Sequence, residues 1–200
     1  MSDIDVRQVT PVTVAERLDR LPMSGWHRRI VLLIGLGSFF NFYEVGLGTF
    51  FGVLLKPVWS LSTTQEALVV GAAFFGEMIG SLTLAPLADR LGRRTLFQIN
   101  LVAYAALSLA TAFSPGLPVF LVLRVLTGIG LGAELTLVDT YLSELLPAAH
   151  RGRSIAWSYT FGLLAVPIAG LLAKQATGTL LGLAGWRWLL ILAALGGVVV

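Results

Sequence analysis

The stretch Leu87-Ala88-Asp89-Arg90-Leu91-Gly92-Arg93-Arg94 places four charges in six residues between two long apolar runs, Ala67 to Ala88 and Leu96 to Phe113. Two helices that each cross a bilayer can be joined by so few residues only as antiparallel neighbours. The arginines also set the side of the join, because loops rich in Lys and Arg stay cytoplasmic. Gly92 can take the left-handed backbone that a sharp reversal after a helix needs. The remaining chain is oriented from this one turn.

Only 12% of the residues are charged and 56% are hydrophobic, with a mean hydropathy of +0.83. A soluble domain carries about 25% charged residues, so this chain is an integral, all-α membrane protein. A pI near 9.7 raises the question of nucleic acid. The arginines sit at the ends of apolar runs, however, which reads as topology and excludes a nucleic-acid partner. Cysteine is absent. His27 and His150 fall outside the spans, no metal-ligand cluster exists, and no nucleophile has an adjacent base. The sequence therefore implies no metal, no cofactor and no enzyme chemistry.

Residues 1–29 read as a cytoplasmic segment, too acidic at Asp3, Asp5, Glu16 and Asp19 for a cleavable signal peptide. Within it, Thr13 to Leu21 is either a short amphipathic helix with Glu16 paired to Arg20, or a disordered tail. Residues 30–200 then form six spans. They are Ile30 to Leu55, ended by Lys56-Pro57; Ser62 or Thr63 to Ala88; Thr95 to Phe113; Val119 to about Tyr141; Ser154 to Leu172; and a sixth from Trp186. Pro147 to Arg153 reads as a second basic internal loop, and Lys174 to Gly185 as an external one. Ten cations fall inside (Arg7, Arg17, Arg20, Arg28, Arg29, Arg90, Arg93, Arg94, Arg151, Arg153) and three outside (Lys56, Lys174, Arg187). That asymmetry puts the N-terminus in the cytoplasm. Trp188 to Val200 supplies about 20 Å of helix against a core of about 30 Å, so the sixth span is truncated and a longer chain is expected.

These motifs resemble the major facilitator superfamily of secondary transporters. Ala85-x-x-x-Asp89-Arg90-x-Gly92-Arg93-Arg94 resembles its signature loop between the second and third helices, with Ala where the family has Gly. Arg124-x-x-x-Gly128-x-Gly130-x-Gly132 resembles its fourth-helix motif. Glu144 and Arg151 match the Glu-x6-Arg element of the sugar-porter branch, and Tyr43-Glu44 falls where that branch has Tyr-Asp. Thr127 to Glu134 is similar to bacterial metabolite–proton symporters, including aromatic-acid and nicotinate carriers. The resemblance implies the N-terminal half of a twelve-span fold, built as two three-helix inverted repeats in the inner membrane. It also implies a missing C-terminal six-helix half, with a small organic metabolite and protons as partners.

A charge inside a bilayer costs roughly 2.5–3.5 kcal/mol at mid-helix on translocon scales, so each needs a partner or a water-filled cavity. Glu44 lies about 21 Å from the inner end of span 1, and Arg124 about 9 Å from the outer end of span 4. In a core of about 30 Å these depths match. Glu44 is then the expected proton site with Arg124 as its partner, because a guanidinium favours the ionised carboxylate and its withdrawal favours proton uptake. The alternative is a permanent ion pair that only locks the two spans together.

Asn41, Tyr43, Glu77 and Glu134 are candidates for the substrate path, Asn41 first among them. Glu77 can equally hydrogen-bond as a neutral acid between helices. Gln98 and Asn100 sit near the inner end of span 3, where interfacial polarity accounts for them. Phe39, Phe40, Phe42, Phe50 and Phe51 read as packing or lipid-facing rings, or as one stacking surface for an aromatic substrate. Gly128 and Gly132 form a ridge for close helix approach, and Pro167 is expected to kink span 5 by removing a backbone hydrogen bond. Asp89, Arg90, Gly92, Arg93, Arg94, Glu144 and Arg151 are read as a cytoplasmic gating network. The leading function is proton-coupled symport. A non-transporting receptor or assembly protein, or an uncoupled facilitator, are the alternatives.

Overall fold

Residues 14–199 are described in the computed structural model; the side chains of residues 14–16, 85, 88, 89, 93, 94, 137, 198 and 199 lie outside the description. The helices are α1 (Val14–Asp19), α2 (Gly25–Trp59), α3 (Thr63–Leu91), α4 (Arg93–Ala112), α5 (Leu117–Leu145), α6 (Ala148–Leu163), α7 (Ala165–Gln175) and α8 (Gly185–Val199). Five stretches among the described residues are long and apolar enough to cross a membrane, with α6 and α7 together forming one of them. The apolar part of α8 is shorter.

Helix ends follow local chemistry. The hydroxyl of Ser24 accepts from His27 N, while Ser24 N donates to His27 Nδ1, a reciprocal box that starts α2 five residues before the expected Ile30. Pro57 does not end α2, as expected, because a proline in the last turn removes only one late hydrogen bond. The chain leaves the helix at Ser60, in the left-handed region with φ 51°. Ser62 and Gln65 box the start of α3.

The turn between α3 and α4 is Gly92 alone, with φ 84°, tighter than the charged octet required. Residues 148–153, expected as a loop, form the first turns of α6. Span 5 is interrupted near the expected kink: Leu164 separates α6 from α7, and Pro167 lacks the N–H that would reach Leu163. The segment expected as a plain loop after α7 carries a two-residue hairpin, β1 (Thr179–Leu180) with β2 (Leu183–Ala184). Leu181 and Gly182 both have positive φ at its turn, as a tight hairpin twist requires.

Helix α2 is the hub, packing on α3, α5, α6, α7 and α8. The other close pairs are α3 with α5, α4 with α5 and α4 with α8. Glycine sets these distances. A Cβ on Gly76 or Gly80 of α3 would overlap the carbonyl oxygens of Val125 or Ile129, and one on Gly128 or Gly132 of α5 would overlap those of Ala73 or Glu77. The two helices therefore touch backbone to backbone. Gly130 turns instead to α4, where Asn100 Nδ2 donates to its carbonyl at 2.9 Å.

Asn100 is thus a buried staple and not interfacial polarity. Asn100→Ala is expected to cost about 0.6 kcal/mol and at most about 1.7 kcal/mol, the average and the largest values for interhelical hydrogen bonds in membranes, read as a lowered unfolding midpoint in detergent. Rings of α2 fill glycine notches on its other side: Phe42 against Gly162, Phe50 against Gly170 and Phe40 against Gly196. Phe51 is fully buried and packs on Phe120. Trp59, Phe120 and Trp186 close the end of the bundle remote from Gly92. Beside them Arg187 donates to Ala112 O, capping the C-terminus of α4.

Candidate functional site

Three neighbouring polar residues of α2 reach three ways. Glu44 Oε1 accepts from Arg124 Nη1 at 2.5 Å, and both side chains are fully buried. Asn41, one turn earlier, donates to Leu131 O at 3.1 Å and to Glu134 Oε2 at 3.3 Å. Tyr43 points away to α8, its hydroxyl 3.4 Å from Leu189 O.

The Glu44–Arg124 pair has a shell that sequence reasoning did not find. Ser108 of α4 stands 3.4 Å from Glu44 Oε2 and 3.2 Å from Leu190 O, tying the carboxylate to α4 and α8. The Arg124 guanidinium lies over the Phe51 ring, 5.4 Å from its centroid. Gly48 makes room for it, since a Cβ there would stand 2.9 Å from Arg124 Nη2. Gly48 is one turn after Glu44 on α2, so an i, i+4 glycine beside a buried acid was the available signal. Arg124 Nε is buried with no partner among the described residues, a donor left unspent.

Glu77 lies half-buried on α3, within electrostatic reach of Arg124, with Oε1 buried and without a partner among the described residues. Glu134 is buried behind Asn41. The structure therefore joins Glu44 to Arg124 and Asn41 to Glu134, keeps Glu77 near the first pair, and sends Tyr43 elsewhere.

In the expected gating network, the side chains of Asp89, Arg93 and Arg94 lie outside the described residues. Arg90, Gly92 and Glu144 are exposed. Arg151 Nη2 donates to Asp19 Oδ1 and its Nε to Leu146 O. Asp19 also accepts from Ala148 N, so α1 is held to the start of α6. The expected Glu16–Arg20 pair falls on an undescribed side chain, and Thr13 lies outside the described residues.

A buried acid–base pair thus sits at the hub of a bundle of membrane-length helices. The chain belongs to the Sugar (and other) transporter family, which it matches over residues 30–200; this is a family of major facilitator transporters, not of enzymes. It is 32% identical over 160 residues to the niacin transporter NiaP of Acinetobacter baylyi, covering 80% of this chain and 36% of that protein. It is 32% identical over 185 residues to a gallate transporter of Pseudomonas putida, covering 92% and 40%. An inward-open structure of the xylose transporter XylE from E. coli superposes with a TM-score of 0.74 at 21% identity, over 86% of this chain and 46% of that one. The chain thus spans less than half the length of the relatives it matches.

Proposed function

We propose that the protein is a proton-coupled symporter for a small organic acid, of the aromatic or nicotinate-like kind, working by alternating access. The observation that carries this reading is the buried Glu44–Arg124 pair, at the meeting of α2, α4, α5 and α8. An ionised Glu44 satisfies Arg124; a protonated one releases it. Arg124 then offers its guanidinium, including the unspent Nε, to a substrate carboxylate. Proton and anion thereby become mutually dependent, which is what symport requires. The niacin and gallate carriers among the relatives support a carboxylate substrate.

In this reading the helices form two three-helix inverted repeats, with α2, α3 and α4 in one and α5, α6–α7 and α8 in the other. The pairing of α2 with α6–α7, α5 with α3, and α4 with α8 supports that arrangement. A second six-helix half completes the cavity, and Glu77, Asn41, Tyr43 and Glu134 are candidates for its near wall. The N-terminus and the Asp89 to Arg94 turn face the cytoplasm of an inner-membrane protein. There Asp89, Arg90, Arg93 and Arg94, with Glu144 and Arg151, latch the inner face.

Uptake of labelled nicotinate and gallate into vesicles bearing the full-length protein tests the reading. Uptake raised by an inward proton gradient supports symport. Equal uptake with and without the gradient indicates a facilitator, and none for any small organic acid a non-transporting receptor or assembly protein.

A further inference from the structure

The Asn41–Glu134 contact carries an inference beyond the role of Glu44. Glu134 is 1% exposed, and its one side-chain partner among the described residues is the neutral carboxamide of Asn41. A carboxylate buried in an apolar interior without a cation costs more than the chain recovers from one amide hydrogen bond, so such groups neutralise instead. The hydrogen-bond ledger says the same thing independently. Asn41 spends both amide protons, on Leu131 O and on Glu134 Oε2. That leaves Asn41 Oδ1 and Glu134 Oε1, both buried and both without a donor among the described residues. Two leftover acceptors, one on each of two planar groups already joined through their other atoms, lack one proton between them.

We propose that Asn41 and Glu134 form a second proton-binding site, separate from Glu44–Arg124 and occupied in this conformation, in which Glu134 Oε1–H donates to Asn41 Oδ1. The pair is then a cyclic acid–amide dimer in which each group donates once and accepts once. Loading forms one O–H bond to a proton from water, and unloading returns that proton to water when α2 and α5 part. Among the charged and titratable groups nearby, Tyr104 on α4 lies within electrostatic reach of Glu134, Tyr43 and Glu44 follow Asn41 by two and three residues on α2, the backbone of Glu77 on α3 lies against Gly132, and Arg124 is ten residues back along α5. Arg124 is engaged by Glu44, so it does not compensate Glu134. The buried α2–α5 contact carries one anion, one cation and one neutral acid.

Infrared absorption of the purified full-length protein in lipid tests this without any transport reading, and so separates its failure from failure of the symport proposal. At neutral pH the wild type is expected to show the carbonyl stretch of a protonated carboxylic acid. One component should vanish in Glu134→Gln and persist in Glu44→Gln. Asn41→Leu, which removes the acceptor, should shift that same component to higher frequency and so keeps the test alive if Glu134→Gln does not fold. Absence of the band in the wild type, or a band unmoved by both the Glu134 and the Asn41 substitutions, overturns the proposal.

Discussion

Gly128→Val is expected to leave almost no folded bundle. The added Cβ falls on the carbonyl oxygen of Ala73, and backbone cannot rotate out of the way as a side chain can. Overpacking in an ordinary core costs about 1–3 kcal/mol. Here the helices must separate, which also pulls Gly76, Gly80 and Gly132 from their carbonyl partners, so the loss exceeds that range. The measurement is the fraction of monodisperse protein after detergent extraction, with the unfolding midpoint of whatever remains. Gly71 is the control on the same pair of helices. A Cβ there meets nothing within 4 Å, so Gly71→Ala should be neutral or raise stability by up to about 1 kcal/mol through helix propensity. If both substitutions behave alike, close backbone packing is not what holds α3 to α5.

The second large effect belongs to Arg124. Arg124→Ala leaves the Glu44 carboxylate buried with only the long Ser108 contact, and breaking a buried pair by removing one partner costs about 3–5 kcal/mol. Glu44→Gln keeps an acceptor for the guanidinium but leaves its charge uncompensated, and should also destabilise. The double variant Glu44→Gln with Arg124→Ala removes both charges and is expected to be more stable than Arg124→Ala alone. A double-mutant cycle on detergent unfolding midpoints reads this as a coupling energy. Strict additivity would mean that the two charges do not compensate one another.

Much of this architecture was legible because a bilayer restricts the chain more than water does. Apolar run length marks the spans, and one charged turn makes α3 and α4 consecutive, although α3 packs most closely on α5. Matching depths on antiparallel helices brought Glu44 to Arg124, since a buried charge has few places to find a partner. The ridge of Gly128 and Gly132 is readable, and so is its complement: Gly76 and Gly80 repeat the same spacing in span 2 and mark the partner helix.

What stayed hidden depends on rotation about a helix axis, which run length does not encode. Asn100 lies near a helix end yet faces inward to Gly130, and Tyr43 turns from its neighbour Glu44 toward α8. Helix ends were misplaced at Pro57 and at residues 148–153 for a related reason. Proline and charge read as terminators in a sequence, although a last turn tolerates proline and a first turn of helix carries arginine as readily as a loop does.

In the proposed mechanism Glu44 carries the proton that drives transport, and that assignment can be checked alone. It is tested most directly by comparing wild type and Glu44→Gln full-length protein in vesicles, measuring substrate exchange at equal pH beside uptake driven by an imposed proton gradient. Glu44→Gln is expected to retain exchange and lose stimulation by the gradient, because the glutamine stands in for a permanently protonated acid. Gradient-driven accumulation by Glu44→Gln at the wild-type rate would contradict it, and would leave the buried pair as a lock between α2 and α5.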